Sequence, residues 1–123
     1  MNSVTEAKAE LTAARKAAAL FGGKALKGTA RQKTWAEKIR AKKLESMTQE
    51  QAVACCDPAG ILTGAKFWIE TRNRRGADIG EFELDRRELR DEALALRADG
   101  KADEYAAAAA RYNALTAAWG FKD

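Results

Sequence analysis

The chain has 123 residues, with 22 Lys and Arg against 18 Asp and Glu, one proline and no histidine. That is about one domain's length, enough to bury roughly two-thirds of the surface an unfolded chain exposes. Without histidine there is no hydroxyl–histidine or thiol–histidine nucleophile pair, and no stretch approaches the roughly 20 consecutive apolar residues of a membrane span.

Abundant Ala, Glu, Lys and Arg, with few β-branched residues, favour helix. The expectation is an all-α fold: about six helices in one compact bundle, a single domain over 1–123. Within it, 1–76 forms a basic helical region and 77–123 a C-terminal antiparallel helical hairpin. Glu6 and Glu10 stand where a secretory signal would have a basic start and an apolar run, so a cytoplasmic location with no membrane partner is expected. Cys55 and Cys56 are adjacent, too close for an ordinary loop-closing disulfide, and read as buried structural thiols. Neither a metal site nor a cofactor is indicated.

In chain order, Val4, Ala7, Leu11, Ala14, Ala18 and Phe21 recur every three or four residues and predict a first helix, opened by Ser3 with Glu6 and closed at Gly22-Gly23. After a short basic linker to Gly28, the capping-box spacing of Thr29 and Gln32 starts a second helix running to about Leu44. At about 100° per residue, Trp35, Ala36, Ile39 and Met47 share an arc of about 120°, the expected packing face. Arg31, Lys38 and Lys42 form a cationic flank beside it.

Thr48 with Gln51 opens a third, short helix that stops at Asp57-Pro58. Thr63 to Asn73, with adjacent Phe67, Trp68 and Ile69, predicts a central fourth helix contacting neighbours on two sides. Asp78 with Glu81 starts a fifth, with Ile79, Phe82, Leu89, Ala93 and Leu96 inward. Its acids (Glu81, Glu83, Asp85, Glu88, Asp91, Glu92) and Arg86, Arg87 and Arg90 form a solvated ion-paired surface. The sixth carries Tyr105, Ala109, Tyr112, Thr116 and Trp119, with Gly120 as a left-handed cap. Its turn resembles those of tetratricopeptide hairpins, but no second copy recurs at that period. The alanine face from Ala106 to Ala110 permits close approach within one chain or between two, which leaves a homodimer through the hairpin open.

The strongest functional signal is charge. Between Lys24 and Lys43 lie eight basic residues and one acid, Glu37, a local +7 in a chain of net +4. A concentrated cationic field attracts polyanions or an acidic protein surface. The candidate binding residues are Lys24, Lys27, Arg31, Lys38, Arg40, Lys42 and Lys43, joined by Arg72, Arg74 and Arg75. No catalytic residue is assigned: the glycines form no phosphate-cradling loop. Trp35 and Trp68, aromatics among cations, are able in principle to stack on unpaired bases. Their place on apolar helical faces favours core packing instead.

The stretch Lys27-Gly28-Thr29-Ala30-Arg31-Gln32-Lys33-Thr34-Trp35-Ala36-Glu37-Lys38-Ile39-Arg40, followed by Ala65-Lys66-Phe67-Trp68-Ile69-Glu70-Thr71-Arg72, resembles a helical module of bacterial proteins, several of them associated with mobile elements. Its pattern is G-[ST]-x-x-Q-x-x-W-A-E-x-I-R, then A-x-[FYW]-W-I-[DE]-x-R. Arg31 and Lys33 stand where that module often has lysine before the glutamine and Ile or Val after it. The resemblance implies shared helix packing and a bacterial, phage or plasmid setting, with Trp35, Ile39 and Trp68 as core and Arg40 and Arg72 as polar positions. The expected function is non-enzymatic docking on nucleic acid or a nucleoprotein complex through the basic face. The alternative is a phage- or plasmid-encoded inhibitor or adaptor, of anti-CRISPR or anti-restriction type, that binds an acidic protein surface and acts by steric occlusion.

Overall fold

The computed structural model describes residues 3–121 and is all-α. Its helices are α1 Ser3–Ala19, α2 Ala30–Leu44, α3 Gln49–Cys56, α4 Ala65–Glu70, α5 Gly76–Ala98 and α6 Ala102–Ala118. None is long and apolar enough to cross a membrane. The chain divides into two compact units, Met1–Gly80 and Glu81–Asp123, with the division inside α5.

In the first unit, α2 packs on α1 and α4. Both predicted internal capping boxes form. Thr29 accepts from the Gln32 N–H while the Gln32 side chain accepts from the Thr29 N–H, and Thr48 and Gln51 repeat the exchange at α3. The Ser3 side chain, proposed to cap α1, lies outside the described residues. Ala18, Leu44, Ala52 and Cys56 make a core cluster flanked by Phe21 and Met47. Trp68 is fully buried, its Nε1–H donating to the Leu62 carbonyl at 3.0 Å, and it meets Phe67 edge-on.

Two element boundaries differ from expectation. The fourth helix is only Ala65–Glu70, because the chain before it runs extended beside the linker: Lys27 N–H donates to Thr63 O, and Ala65 N–H donates to Lys27 O. The fifth helix starts at Gly76 rather than Asp78, since the Arg75 carbonyl accepts from both Asp78 and Ile79 N–H. Asp78 therefore stands in the first turn, its carboxylate gripped by Arg75 through two 3.0 Å bonds. Gly76 makes this start possible: a Cβ there would lie 2.2 Å from the Lys43 carbonyl oxygen and from Ser46 Oγ.

The second unit is the predicted antiparallel hairpin. Phe82 near the start stacks on Trp119 with centroids 4.6 Å apart, Arg86 reaches Tyr112, and Arg111 pairs with Glu92 at 2.8 Å. Gly100 and Gly120 adopt positive φ, and the N–H after each reaches back to Leu96 O and Thr116 O, the closure that left-handed helix ends make. One expectation fails here. Glu83 and Arg86 are 0% and 2% exposed, so part of the supposedly solvated charge lies inside. Glu83 accepts two bonds from Arg86, and Arg86 Nη1 donates to the Tyr112 oxygen at 3.1 Å.

Candidate functional site

The buried positions of α2 are Ala36, Glu37, Arg40 and Leu44. At about 100° per residue they span about 100°, and the centre of that arc lies about 150° from Trp35. The predicted packing face is therefore right in part: Ala36 is buried and Met47 packs on the core cluster, but the buried arc is turned by about 90° from the expected one, which leaves Trp35 outside it. Trp35 is 48% exposed, a correction to its assignment as core. The cause is a charged pair that takes the inward face. Glu37 accepts the Leu26 N–H at 3.0 Å, Arg40 Nη2 at 2.6 Å and Arg15 Nε at 3.4 Å, while Arg40 also donates to the Lys24 carbonyl. Glu37 is bonded from three directions, so the pair ties α1, the linker and α2 together, although Arg40 Nε is buried without a hydrogen-bond partner.

Arg40 is accordingly removed from the candidate binding residues: at 2% exposure, and held by Glu37, it offers nothing to a partner. Lys43 is corrected too. Its Nζ donates to the backbone carbonyls of Arg72 at 2.7 Å and Arg74 at 2.5 Å, which makes it an anchor for the turn after α4. Arg75 is exposed, but its guanidinium is already forked onto Asp78, and that bond holds the Asp78 carboxyl below its ordinary range. Arg74 is exposed and engaged within the chain.

Of what remains, three cations of α2 share an outward face with Trp35. Arg31, Trp35, Lys38 and Lys42 lie within about 60° of arc on the side of α2 away from the core. Lys38 meets Glu10 at 2.8 Å and Lys42 meets Glu45 at 3.6 Å, both pairs well solvated and so contributing at most about 1 kcal/mol. Among the described residues no carboxylate pairs with Lys24, Lys27, Arg31, Lys33 or Arg72. The Arg72 guanidinium lies over the Trp35 ring, 5.3 Å from its centroid, a cation–π contact. Sequence reasoning placed the cations of this stripe outside and Trp35 inside. The signal that unites them was the four-residue step from Arg31 to Trp35.

The first unit contains 15 basic and 8 acidic residues, and Glu81–Asp123 contains 7 basic and 10 acidic. The positive charge thus belongs to the unit that presents this face. Cys55 and Cys56 are free and buried. Burial pushes the Cys56 thiol above its ordinary value, with Arg40 lowering it and Glu37 raising it by lesser amounts. No group of three or more metal-ligating side chains is assembled among the described residues.

No family model and no curated protein matches the chain.

Proposed function

We propose that this chain is a non-enzymatic binding protein that docks on nucleic acid, free or within a nucleoprotein complex, through the basic face of its first unit. The observation that carries this reading is the set of cations without carboxylate partners among the described residues: Lys24, Lys27 and Arg31 of the linker and α2, and Arg72 after α4, whose guanidinium also donates to the Ile69 carbonyl at 2.7 Å and lies over Trp35. All four residues are exposed. Phosphates meeting such cations release condensed counterions, and this release supplies most of sequence-independent affinity. Point-charge lysines with no recognition-helix motif favour occupancy of the backbone with little base reading. The resemblance around Trp35 and Trp68 adds a bacterial, phage or plasmid setting to the proposal.

The test is fluorescence anisotropy with labelled DNA and RNA across a salt series. Binding at low salt that falls linearly in log–log form supports docking on phosphates. No complex with any nucleic acid at low salt overturns it and leaves the steric inhibitor of a protein target as the reading to pursue.

A further inference from the structure

Trp35 is the least expected side chain on this surface. The fold buries its packing indole completely, with Trp68 at 0% exposure and its ring N–H bonded to Leu62. Trp35 stands 48% exposed on the helix face opposite the core, between Arg31 and Lys38 on the same stripe. Its ring is also not left loose. The Arg72 guanidinium lies over one face of it, and Lys43, bonded to the Arg72 carbonyl, fixes the backbone from which that guanidinium extends.

We infer that Trp35 is a stacking platform for an unpaired nucleobase, and that the nucleic acid taken by the basic face is single-stranded. This rests on the docking reading above and narrows its ligand. In a duplex the π-faces of the bases are occupied by their neighbours, so an indole on a convex helix meets only backbone. On a single strand a base is free to turn onto the ring while its flanking phosphates reach cations on either side. Arg31 precedes Trp35 by about 6 Å along the helix axis, and Lys38 and Lys42 follow by about 4.5 and 10.5 Å, so the charges bracket the ring along one line. The Glu10 and Glu45 partners of Lys38 and Lys42 are solvent-exposed and displaceable by phosphate. Every base has a π-face, so the platform accepts any sequence, in DNA or RNA alike.

The experiment compares the full chain with Trp35→Leu and Trp35→Phe, using oligo-dT, oligo-U and a blunt duplex of equal length at low salt. The expected result is tighter binding of single strands than of duplex. Trp35→Leu should weaken single-strand binding by roughly 5- to 100-fold and duplex binding by under about twofold. Trp35→Phe should keep single-strand affinity within a few-fold while abolishing most of the tryptophan quenching that the oligonucleotide causes, since Trp68 and Trp119 remain. That last measurement is independent of whether the leucine variant folds. Equal affinity for duplex and single strand, with no loss in Trp35→Leu, overturns the stacking role and leaves the docking reading standing. Absence of binding by the unsubstituted chain overturns both. The dT and U arms then decide whether the natural strand is DNA, RNA or either.

Discussion

Glu37 accepts hydrogen bonds from a backbone N–H and two arginines while being wholly buried, so its charge is compensated from three directions. Removing Arg40 leaves Glu37 with only the Leu26 N–H and a long contact to the half-exposed Arg15, in a medium that solvates its charge poorly. Arg40→Met is therefore expected to cost about 3–5 kcal/mol, whereas Glu37→Gln combined with Arg40→Met should cost clearly less than the two single changes added together. Urea unfolding of the two single variants and the double variant checks this, and strict additivity would show that the pair is not a coupled unit. The thiols offer a second test. Because the folded state raises the Cys56 pKa, it favours the neutral thiol. That contribution to stability is complete below the ordinary value of 9.0 and declines as pH rises through the folded value. Native protein should therefore resist thiol reagents near neutral pH and react at both cysteines only on unfolding; fast labelling of the folded chain at neutral pH would contradict the burial of Cys55 and Cys56.

Elements with local signals were legible, and elements set by close approach were not. The capping boxes at Thr29 and Thr48, the stop at Asp57-Pro58 and the left-handed turn at Gly100 are written within a few residues of where they act. The start of α5 is different, because it depends on how near its backbone comes to Lys43 and Ser46, residues thirty or more positions earlier. The face of α2 misled for a related reason. A periodicity argument sends Glu37 and Arg40 outward and Trp35 inward, and it has no means of knowing that Leu26, Arg15 and Lys24 supply the bonds that let the charged pair turn in. Gly76 gives this a measurable form. In a helix, alanine for glycine ordinarily stabilises by about 1 kcal/mol. Here the added methyl group would press on the Lys43 carbonyl at 2.2 Å, so Gly76→Ala is expected to destabilise by about 1–3 kcal/mol. Thermal denaturation reads the sign directly, and a raised Tm would mean that α5 begins farther from α2 than its backbone indicates.

At the scale of the whole molecule the charges sort by role. Basic residues of one stretch of sequence divide into Arg40, which holds the interior, Lys43, which holds a turn, and Lys24, Lys27 and Arg31, which are exposed and without carboxylate partners among the described residues. A net-charge argument counts all of these equally. A counterion argument does not, because only cations that reach phosphate release ions. Each phosphate contact on a single strand contributes about 0.7 to the slope of log affinity against log salt. Lys27→Gln and Arg31→Gln should therefore each flatten that slope by about 0.7. Arg40→Met should leave it unchanged at temperatures where the variant stays folded, although it removes the same formal charge. Equal flattening by all three would show that binding responds to the overall field of the chain rather than to this face. No flattening by Lys27→Gln or Arg31→Gln would place the phosphate contacts elsewhere on the molecule.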